Sequence, residues 1–425
     1  MPDVAGAAAA GELTIGFIPL VDAAILIVAH EMGFARGEGL TLSLVRESSW
    51  ANIRDRVALG HFDAAHMLGP MPIASSLGIG RLAVSMAAPF ALGIGGNAIT
   101  LSTELFAEMN AVSKAPVAFA GFEPAAMAQA LAEVLQTRKA AGREPITLAV
   151  VHPFSAHNYE LRYWIASAGL DPDSDVRLTV VPPAMTVDAM IEGQIDGFCA
   201  GEPWNSLAVA AGAGVMAVTK SALWRQGPDK VLGLRTEFTE RHPEPTAALL
   251  RALFRASRWA GTPENWAELA ALLAHPDYVG APAATILQSF EGRLVRHPAG
   301  AASAVPDFLV LDRFAATFPW LSHALWFYAQ MVRWGHTRHA PELAAIARGS
   351  YRPDLYRAAL GPIGADLPRA NAKVEGALQQ ATPVASRSGR LVLGPDGFFD
   401  GRLFDPDQLD QYLAGSAEAS FKTAN

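Results

Sequence analysis

The residues best placed to do chemistry follow the predicted strands, where open α/β sheets bind their ligands. Several of them also begin predicted helices. Ser48 or Ser49 can cap one helix and Ser155 another, while Pro70 and Pro203 each suit a first helical position. A helix N-terminus offers free N–H groups and a partial positive charge. Several such ends around one cleft would bind a small anion, although many α/β folds share this arrangement.

The sequence lacks the usual patterns of a catalytic or metal site. His152 and His157 are five residues apart with Pro153 between them, which is not the i, i+4 pair that a helix offers to a metal. The single cysteine, Cys199, excludes an intrachain disulfide and a thiolate cluster. There is no Gly-x-Ser-x-Gly elbow, and Gly95-Gly96 lacks the spacing of a dinucleotide-binding loop. We expect no catalysis, no cofactor and no metal.

Composition indicates a globular chain that does not bind nucleic acid directly. Of the 425 residues 51% are hydrophobic and 17% are charged, which is enough apolar material for two cores. The formal net charge of -8 argues against a nucleic-acid-binding surface, which is normally basic. A small-anion site is compatible with that charge because a few local donors suffice.

Short β-type runs alternate with helical patterns over the first two thirds of the chain, which is typical of a parallel α/β sheet. The predicted strands are Leu13–Ile18, Leu40–Val45, Phe62–Met67, Leu82–Ala87, Ala98–Leu101, Val117–Phe119, Thr147–Val151, Arg177–Val181, Asp196–Ala200, Gly214–Val218 and Lys230–Arg235. The predicted helices are Ala23–Glu31, Trp50–Leu59, one opening at Pro70, Ala125–Ala140, Asn158–Ala168, Val187–Glu192, Trp204–Ala211, Pro245–Ala260, Trp266–Ala274 and Phe314–Trp334.

This pattern predicts an α/β protein of two lobes with a ligand cleft between them. The first lobe comprises residues 1–93 and resumes at 230–425 with a helical C-terminal extension, and the second is residues 94–229. A chain that crosses twice between lobes makes a hinge. The stripe of Arg251, Arg255 and Arg258 is interpreted as the polar face of an amphipathic helix.

The N-terminal residues and the apolar stretches of the sequence predict the cellular compartment of the protein. No Lys or Arg precedes the alanine run near residue 10, and no early cysteine offers a lipid anchor, so we expect a cytoplasmic protein. A chain trimmed of its leader could look similar. The uncharged stretch after Leu82 is broken by Pro89 and several glycines, so no membrane span is expected.

Several short motifs, taken in order, resemble those of one family. They are Ser49-Trp50 with Arg54-Asp55, Phe62-Asp63-Ala64-Ala65-His66, Pro70-Met71-Pro72, Gly96-Asn97-Ala98-Ile99, His157 before Arg162-Tyr163-Trp164, Gly201-Glu202-Pro203-Trp204-Asn205, Lys230-Val231-Leu232-Gly233, Ala315 to Trp320, and Met331 to Gly335. The similarity spans roughly Leu13 to Pro353. The chain thereby resembles the nitrate/bicarbonate-binding family of type II periplasmic-binding-protein folds, which implies a two-lobed (Venus flytrap) architecture.

The resemblance also implies a set of ligand contacts. Trp50, Asn97, His157, Gly201 and Lys230 occupy positions similar to the contacts of that family. Transport-type nitrate binders usually carry glutamine at the position of Asn97, whose shorter side chain puts that contact in doubt. Bicarbonate binders are expected to have an acidic residue, which assists calcium binding, where Lys230 stands. Lys230 therefore favours nitrate or nitrite and removes the reason to expect a metal.

The chemistry of these side chains suits a flat monoanion with three acceptor oxygens. Lys230 can supply a point charge, and His157, the amide of Asn97 and a backbone N–H near Gly201 can donate hydrogen bonds. Trp50 can offer its indole N–H or an apolar wall. Taken singly, each residue has an ordinary explanation: Trp50 as packing, His157 as a structural residue, and Lys230 with Asp229 as a solvated surface pair. Their joint occurrence in the family order favours binding.

Within the family, a chain without leader or lipid anchor is most similar to the NasS-type cytoplasmic nitrate/nitrite sensors. That resemblance implies a partner, a NasT-type RNA-binding antiterminator that acts in nitrate assimilation and is held inactive until the anion releases it. The first alternative is the nitrate-binding subunit of an ABC transporter, which would work with a membrane permease. The second is an enzyme related to those of thiamine-pyrimidine synthesis, which the single cysteine disfavours.

Overall fold

The computed structural model describes residues 11–80, 82–113 and 122–421 of the chain, with side chains up to 415. The strands are Gly11–Phe17 (β1), Leu40–Arg46 (β2), Ala64–Leu68 (β3), Met86–Ala91 (β4), Ile94–Gly95 (β5), Asn97–Ser102 (β6), Thr147–Val150 (β7), Arg177–Val180 (β8), Gly197–Gly201 (β9), Gly214–Thr219 (β10), Lys230–Arg235 (β11), Arg293–Val295 (β12), Ala302–Ala304 (β13), Leu309–Val310 (β14), Thr382–Pro383 (β15) and Val392–Leu393 (β16).

Helices cover the sheets and form most of the C-terminal third of the chain. They are Ala24–Glu31 (α1), Phe34–Gly37 (α2), Trp50–Ala58 (α3), Pro70–Ser76 (α4), Thr103–Val112 (α5), Pro124–Ala140 (α6), Ala156–Ser167 (α7), Thr186–Ile191 (α8), Trp204–Ala210 (α9), Lys220–Leu223 (α10), Thr236–Arg241 (α11), Pro243–Ala260 (α12), Trp266–Leu273 (α13), Ala283–Glu291 (α14), Leu321–Arg333 (α15), Pro341–Ser350 (α16), Pro353–Leu360 (α17) and Leu409–Phe421 (α18). No helix in the described part of the chain has the length and hydropathy to cross a bilayer.

Two five-stranded sheets form the frame, with strand orders β2-β1-β3-β11-β4 and β10-β6-β9-β7-β8. The first takes its strands from residues 11–91 and 230–235, and the second from residues 97–219. The α/β class expected from the sequence is confirmed, but the expectation of purely parallel sheets is wrong. In the first sheet β11 runs antiparallel to β3 and β4, and in the second β6 runs antiparallel to β9 and β10.

β6 and β11 run antiparallel for the same reason. Each is the first strand of its sheet that the chain forms after crossing from the other lobe. A parallel neighbour is reached through a helix packed on the same sheet, which returns the chain to the starting edge. A chain that arrives from the other lobe instead enters the sheet at the edge that faces that lobe, so its first strand runs opposite to the parallel strands. Consequently Asn97 and Lys230, the first residues of β6 and β11, lie at the edge where the parallel strands end.

Burial of apolar side chains holds the lobes together as well as filling each one. One buried cluster lies within the second lobe around Leu101, Leu131 and Trp164. Another includes Trp50 and Phe62 of the first lobe together with Tyr159 and Phe198 of the second, and Trp326 of α15. Because this cluster draws on both lobes, their interface is apolar around the polar residues described below.

Most predicted elements agree with the structure within a few residues, and three departures have physical causes. The helix predicted from Phe314 begins only at Leu321, because Pro319 cannot extend a helix and Phe314 has φ of 64°. The strand predicted at Leu82 begins at Met86 and includes Pro89, which is tolerated since β4 is an edge strand. The strand predicted at Val117–Phe119 lies outside the described residues.

Candidate functional site

A buried ammonium group, Lys230 Nζ, lies at the centre of a polar cluster between the two sheets. It is 2.8 Å from Asp22 Oδ2 and 2.6 Å from Asp229 Oδ2. Lys230 begins β11, whereas Asp22 lies in the single helical turn that follows β1, 208 residues earlier. The carboxyl end of β1 and the start of the antiparallel β11 therefore lie at the same edge of the first sheet, on either side of β3.

The first lobe adds an imidazole and an indole to the cluster. His66 comes from β3, and its Nε2 lies 3.0 Å from Asp22 Oδ1 while its Nδ1 accepts the N–H of Ile18 at 3.5 Å. Trp50 begins α3, which Ser49 caps by accepting the N–H of Ala51 at 3.2 Å. The Trp50 ring centroid is 5.6 Å from Lys230 Nζ and 5.2 Å from that of His66. Both side chains are buried.

The second lobe contributes two side chains, and both meet Asp229. His157 is the second residue of α7, and its Nε2 is 3.2 Å from Asp229 Oδ2. Asn97 begins β6 and donates its Nδ2 to the same oxygen at 3.0 Å. Asp229 Oδ2 thus receives contacts from Lys230 of one sheet and from Asn97 and His157 of the other lobe. The carboxylate joins the two lobes.

Glycine at position 201 allows close approach to the cluster. Gly201 ends β9 and pairs with Asn97 in register. A Cβ at this position would lie 3.4 Å from Asp22 Oδ2 and 3.5 Å from a methyl of Leu20. A side chain longer than a methyl group would displace one of them.

The structure brings all five residues predicted as ligand contacts into one region, but it also surrounds Lys230 with carboxylates that were not predicted. Lys230 and Asp229 are both buried, which excludes the solvated surface pair that the sequence left open. Asp22 and His66 were missed as site residues. The available signals were that Asp22 follows β1 at its carboxyl end and that His66 belongs to one of the family-like motifs. Their contact with Lys230 depends on tertiary structure.

Electrostatic coupling keeps the central groups charged despite their burial. Burial opposes ionisation of Asp22, but Lys230 and His66 outweigh it and hold the pKa of that carboxyl below its usual value. For Asp229 burial acts the same way, and His157 and Lys230 bring its pKa well below the usual value. Burial would lower the pKa of Lys230, yet the two aspartates raise it. Lys230 and both aspartates are ionised at neutral pH.

At His157, in contrast to the central groups, burial favours the neutral form of the side chain. Loss of solvent lowers the pKa of the imidazole, and the nearby Asp229 compensates only in part. His157 is therefore neutral at neutral pH. Its Nδ1 is buried and has no hydrogen-bond partner among the described residues, and the same holds for Trp50 Nε1. Trp50 Nε1 carries a hydrogen and can donate to an acceptor, whereas His157 Nδ1 can donate only when the ring is protonated, because the hydrogen of the neutral imidazole lies on Nε2 facing Asp229.

Two further buried acids lie next to the cluster in sequence or space. Glu160, one turn after His157 in α7, forms an ion pair with Lys220 of α10, and both are buried. Glu202 follows Gly201, joins Pro203 through a cis peptide bond, and accepts the N–H of Ser206 on Oε2 at 3.3 Å. Burial raises the pKa of Glu202 to about 7. Among the described residues no group of three His, Cys, Asp or Glu is placed to hold a metal ion.

Residues 6–274, more than half of the chain, match the model of the NMT1-like family. The chain belongs to this family. It is 32% identical over 416 residues to the nitrate/nitrite binding protein NrtA of Synechococcus elongatus, a match that covers 95% of this chain and 85% of the relative. The family that the sequence motifs predicted is thereby confirmed.

Two other similar proteins extend the comparison. The nitrate import ATP-binding protein NrtC of Synechocystis is 36% identical over 356 residues, covering 83% of this chain and 50% of the relative, so the chain matches about half of NrtC. The crystal structure of the periplasmic nitrate-binding protein NrtA from Synechocystis superimposes with a TM-score of 0.79 at 26% identity, covering 95% of this chain and 97% of that one. The expected periplasmic-binding-protein fold is confirmed.

Proposed function

We propose that the cluster around Lys230 binds nitrate or nitrite between the two lobes and carries out no chemical step on it. The observation that carries the proposal is a pair of buried nitrogens near a buried ammonium, Trp50 Nε1 and His157 Nδ1, neither of which has a hydrogen-bond partner within the described ranges. A planar oxyanion accepts hydrogen bonds in its own plane and tolerates an aromatic wall. The names of the NrtA and NrtC relatives support the choice of nitrate or nitrite.

Lys230 also bears on the choice between oxyanions. An ammonium already paired with Asp22 and Asp229 occupies the position where a bound cation would otherwise be needed. The sequence resemblance implies that bicarbonate binders carry an acidic residue, which assists calcium binding, at the position of Lys230, so we propose that nitrate and nitrite are preferred.

The test is calorimetric titration with nitrate, nitrite and bicarbonate of the wild type and of Trp50→Phe, which keeps the ring volume and removes the indole N–H. We expect a loss of about 10- to 100-fold in nitrate affinity, because a hydrogen bond to a charged group contributes about 1.5–3 kcal/mol. Trp224→Phe is the matched control, since Trp224 is also buried and its Nε1 has no hydrogen-bond partner in the described part of the chain, but its ring stacks on Phe398, whereas that of Trp50 lies beside Lys230. Equal affinities in the wild type and Trp50→Phe would contradict the proposal.

We further propose that the protein is a cytoplasmic sensor in which anion binding weakens a complex with a NasT-type antiterminator. This role is supported by the resemblance of the sequence to NasS-type sensors. If the antiterminator prefers the anion-free form, the two binding equilibria oppose each other by linkage. The expected result is that nitrate raises the Kd for the purified antiterminator severalfold and that Trp50→Phe shifts this effect to higher nitrate concentrations.

Delivery of the same anion to an ABC importer is the second candidate, and a specific observation favours it. The similar proteins NrtA and NrtC are named as a binding protein and an import ATP-binding protein. Cell fractionation separates the two roles. Protein in the periplasm or attached to the membrane would exclude the sensor role, whereas cytoplasmic protein that binds the antiterminator would exclude delivery.

A further inference from the structure

The balance of charge around Lys230 suggests that an anion cannot enter alone. Asp22 and Asp229 both contact the one ammonium, and all three groups are buried. The neighbouring ion pair of Lys220 with Glu160 is neutral as a unit. Taken together, the ionised Lys230, Asp22 and Asp229 already hold an excess negative charge beside the neutral His157. A buried excess charge is unfavourable, and a second one is more so.

We propose that the site takes up its monoanion together with one proton from solvent, and that His157 is the residue that receives the proton. This inference rests on the proposed function, because it concerns the same site and the same anion. In the bound state the imidazolium would donate from Nε2 to Asp229 and from Nδ1 to the anion. The proton thereby replaces a charge repulsion by two charge-assisted hydrogen bonds.

The existing hydrogen bonds of His66 and His157 indicate which of the two imidazoles can accept the proton. His66 Nδ1 already accepts the N–H of Ile18, so protonating that nitrogen would break the contact. For His157, Nδ1 has no hydrogen-bond partner among the residues that the structure describes, and Nε2 faces a carboxylate oxygen 3.2 Å away. An imidazolium at His157 therefore gains interactions, whereas one at His66 loses one.

The charged groups around His157 come from three elements. Asp229 and Lys230 lie at the start of β11, Lys220 belongs to α10, and Glu160 lies on the same helix, where it pairs with Lys220. In the free protein burial and the positive charges of Lys230 and Lys220 favour the neutral imidazole, and Asp229 opposes them. An added anion would act in the same direction as Asp229 and favour the charged form.

The experiment is calorimetric titration of nitrate into the full chain at one pH in buffers of low and high ionisation enthalpy. Nitrate itself takes no proton in this range, so the dependence of the observed heat on the buffer gives the number of protons taken up. We expect about one proton per nitrate, and a Kd that rises about tenfold per pH unit above neutrality. Uptake below half a proton would overturn the inference. Absence of binding heat in every buffer would instead contradict the proposed function.

Variants assign the proton to a residue. His157→Gln keeps a polar side chain without a titratable group, and we expect weaker binding with no buffer dependence. His152→Gln is the matched control, because His152 is another buried histidine of the same lobe whose Nδ1 accepts the N–H of Phe154. Glu202→Gln tests a second buried group whose pKa lies near 7, as that of the Lys220 ammonium also does, and we expect the variant to retain the uptake. Uptake that persists in His157→Gln, or disappears in Glu202→Gln, would overturn the assignment.

Discussion

At the scale of single residues, the fold buries one acidic side chain and changes its pKa in a way that the local sequence does not predict. Glu202 is buried beside the last residue of β9, and its Oε1 has no hydrogen-bond partner among the described residues. Burial raises its pKa from 4.5 to about 7, so the folded protein binds more protons than the unfolded chain between those values. The contribution of Glu202 to the free energy of unfolding therefore falls as the pH rises through this window.

Glu202→Gln tests that consequence, because glutamine is neutral at every pH. The variant should differ little from the wild type near pH 4.5 and should become progressively more stable than it up to about pH 7, by at most about 3 kcal/mol. Urea denaturation at several pH values between 4.5 and 8 measures the difference. A difference that does not change with pH would show that Glu202 has an ordinary pKa in the folded protein.

At the scale of elements, one helix start positions the residue that we propose as proton acceptor. Ser155 caps α7: its Oγ accepts the N–H of Asn158 at 3.0 Å and donates to the carbonyl of His152 at 2.7 Å. His157 lies in the first turn of that helix. The cap thus fixes both the end of the helix and the position of the imidazole beside Asp229.

Ser155→Ala should destabilise the protein by about 1 kcal/mol through loss of the cap and should also weaken nitrate binding, because the first turn of α7 loosens. Ser102→Ala provides the matched control, since Ser102 caps α5 by accepting the N–H of Leu105 at 3.1 Å and that helix carries no site residue. Thermal denaturation and calorimetric titration of both variants are the measurements. Similar losses of stability with unequal losses of affinity are expected, and equal affinities would contradict the positioning role.

At the scale of the whole molecule, the C-terminal segment, which includes Glu375, Phe398 and Asp400, contacts both lobes. Phe398 stacks on Trp224, which follows α10, with ring centroids 4.8 Å apart, and it also packs near Trp326 of α15. Asp400 accepts a hydrogen bond from Tyr163 of α7 at 2.8 Å. Further along, Ser322 of α15 donates to the buried Glu375 at 2.6 Å. The segment contacts the second lobe at α7 and α10, and α15 at the lobe interface.

Phe398→Ala should lower the free energy of unfolding by about 3 kcal/mol, because it removes a buried aromatic ring from the cluster that both lobes share. Leu403→Ala is the control within the same segment, since Leu403 is 55% exposed and should change stability by no more than about 0.5 kcal/mol. Chemical denaturation followed by tryptophan fluorescence gives both values. A change as small for Phe398 as for Leu403 would show that the segment does not hold the lobes.

The sequence by itself determined the α/β class, the family and most element bounds, because strand and helix periodicities are local properties of the chain. Lys230–Arg235, for example, is a strand both in the prediction and in the structure. The family-like motifs also named Trp50, Asn97, His157, Gly201 and Lys230, which the structure brings into one region. Whether they contact an anion stays a prediction.

Only the tertiary structure decided the surroundings of Lys230. Searching for polar residues after strands overlooks Asn97 and Lys230, because each begins a strand; they reach the ligand edge since β6 and β11 run antiparallel to their sheets. The contact between Lys230 and Asp22 joins residues 208 positions apart, and it follows from strand direction and the approach of two lobes, which no local pattern encodes. The sequence offered Lys230 as a point charge for the anion or as a solvated pair with Asp229, whereas the structure shows a buried network of charges. This network is why we expect the anion to bring a proton.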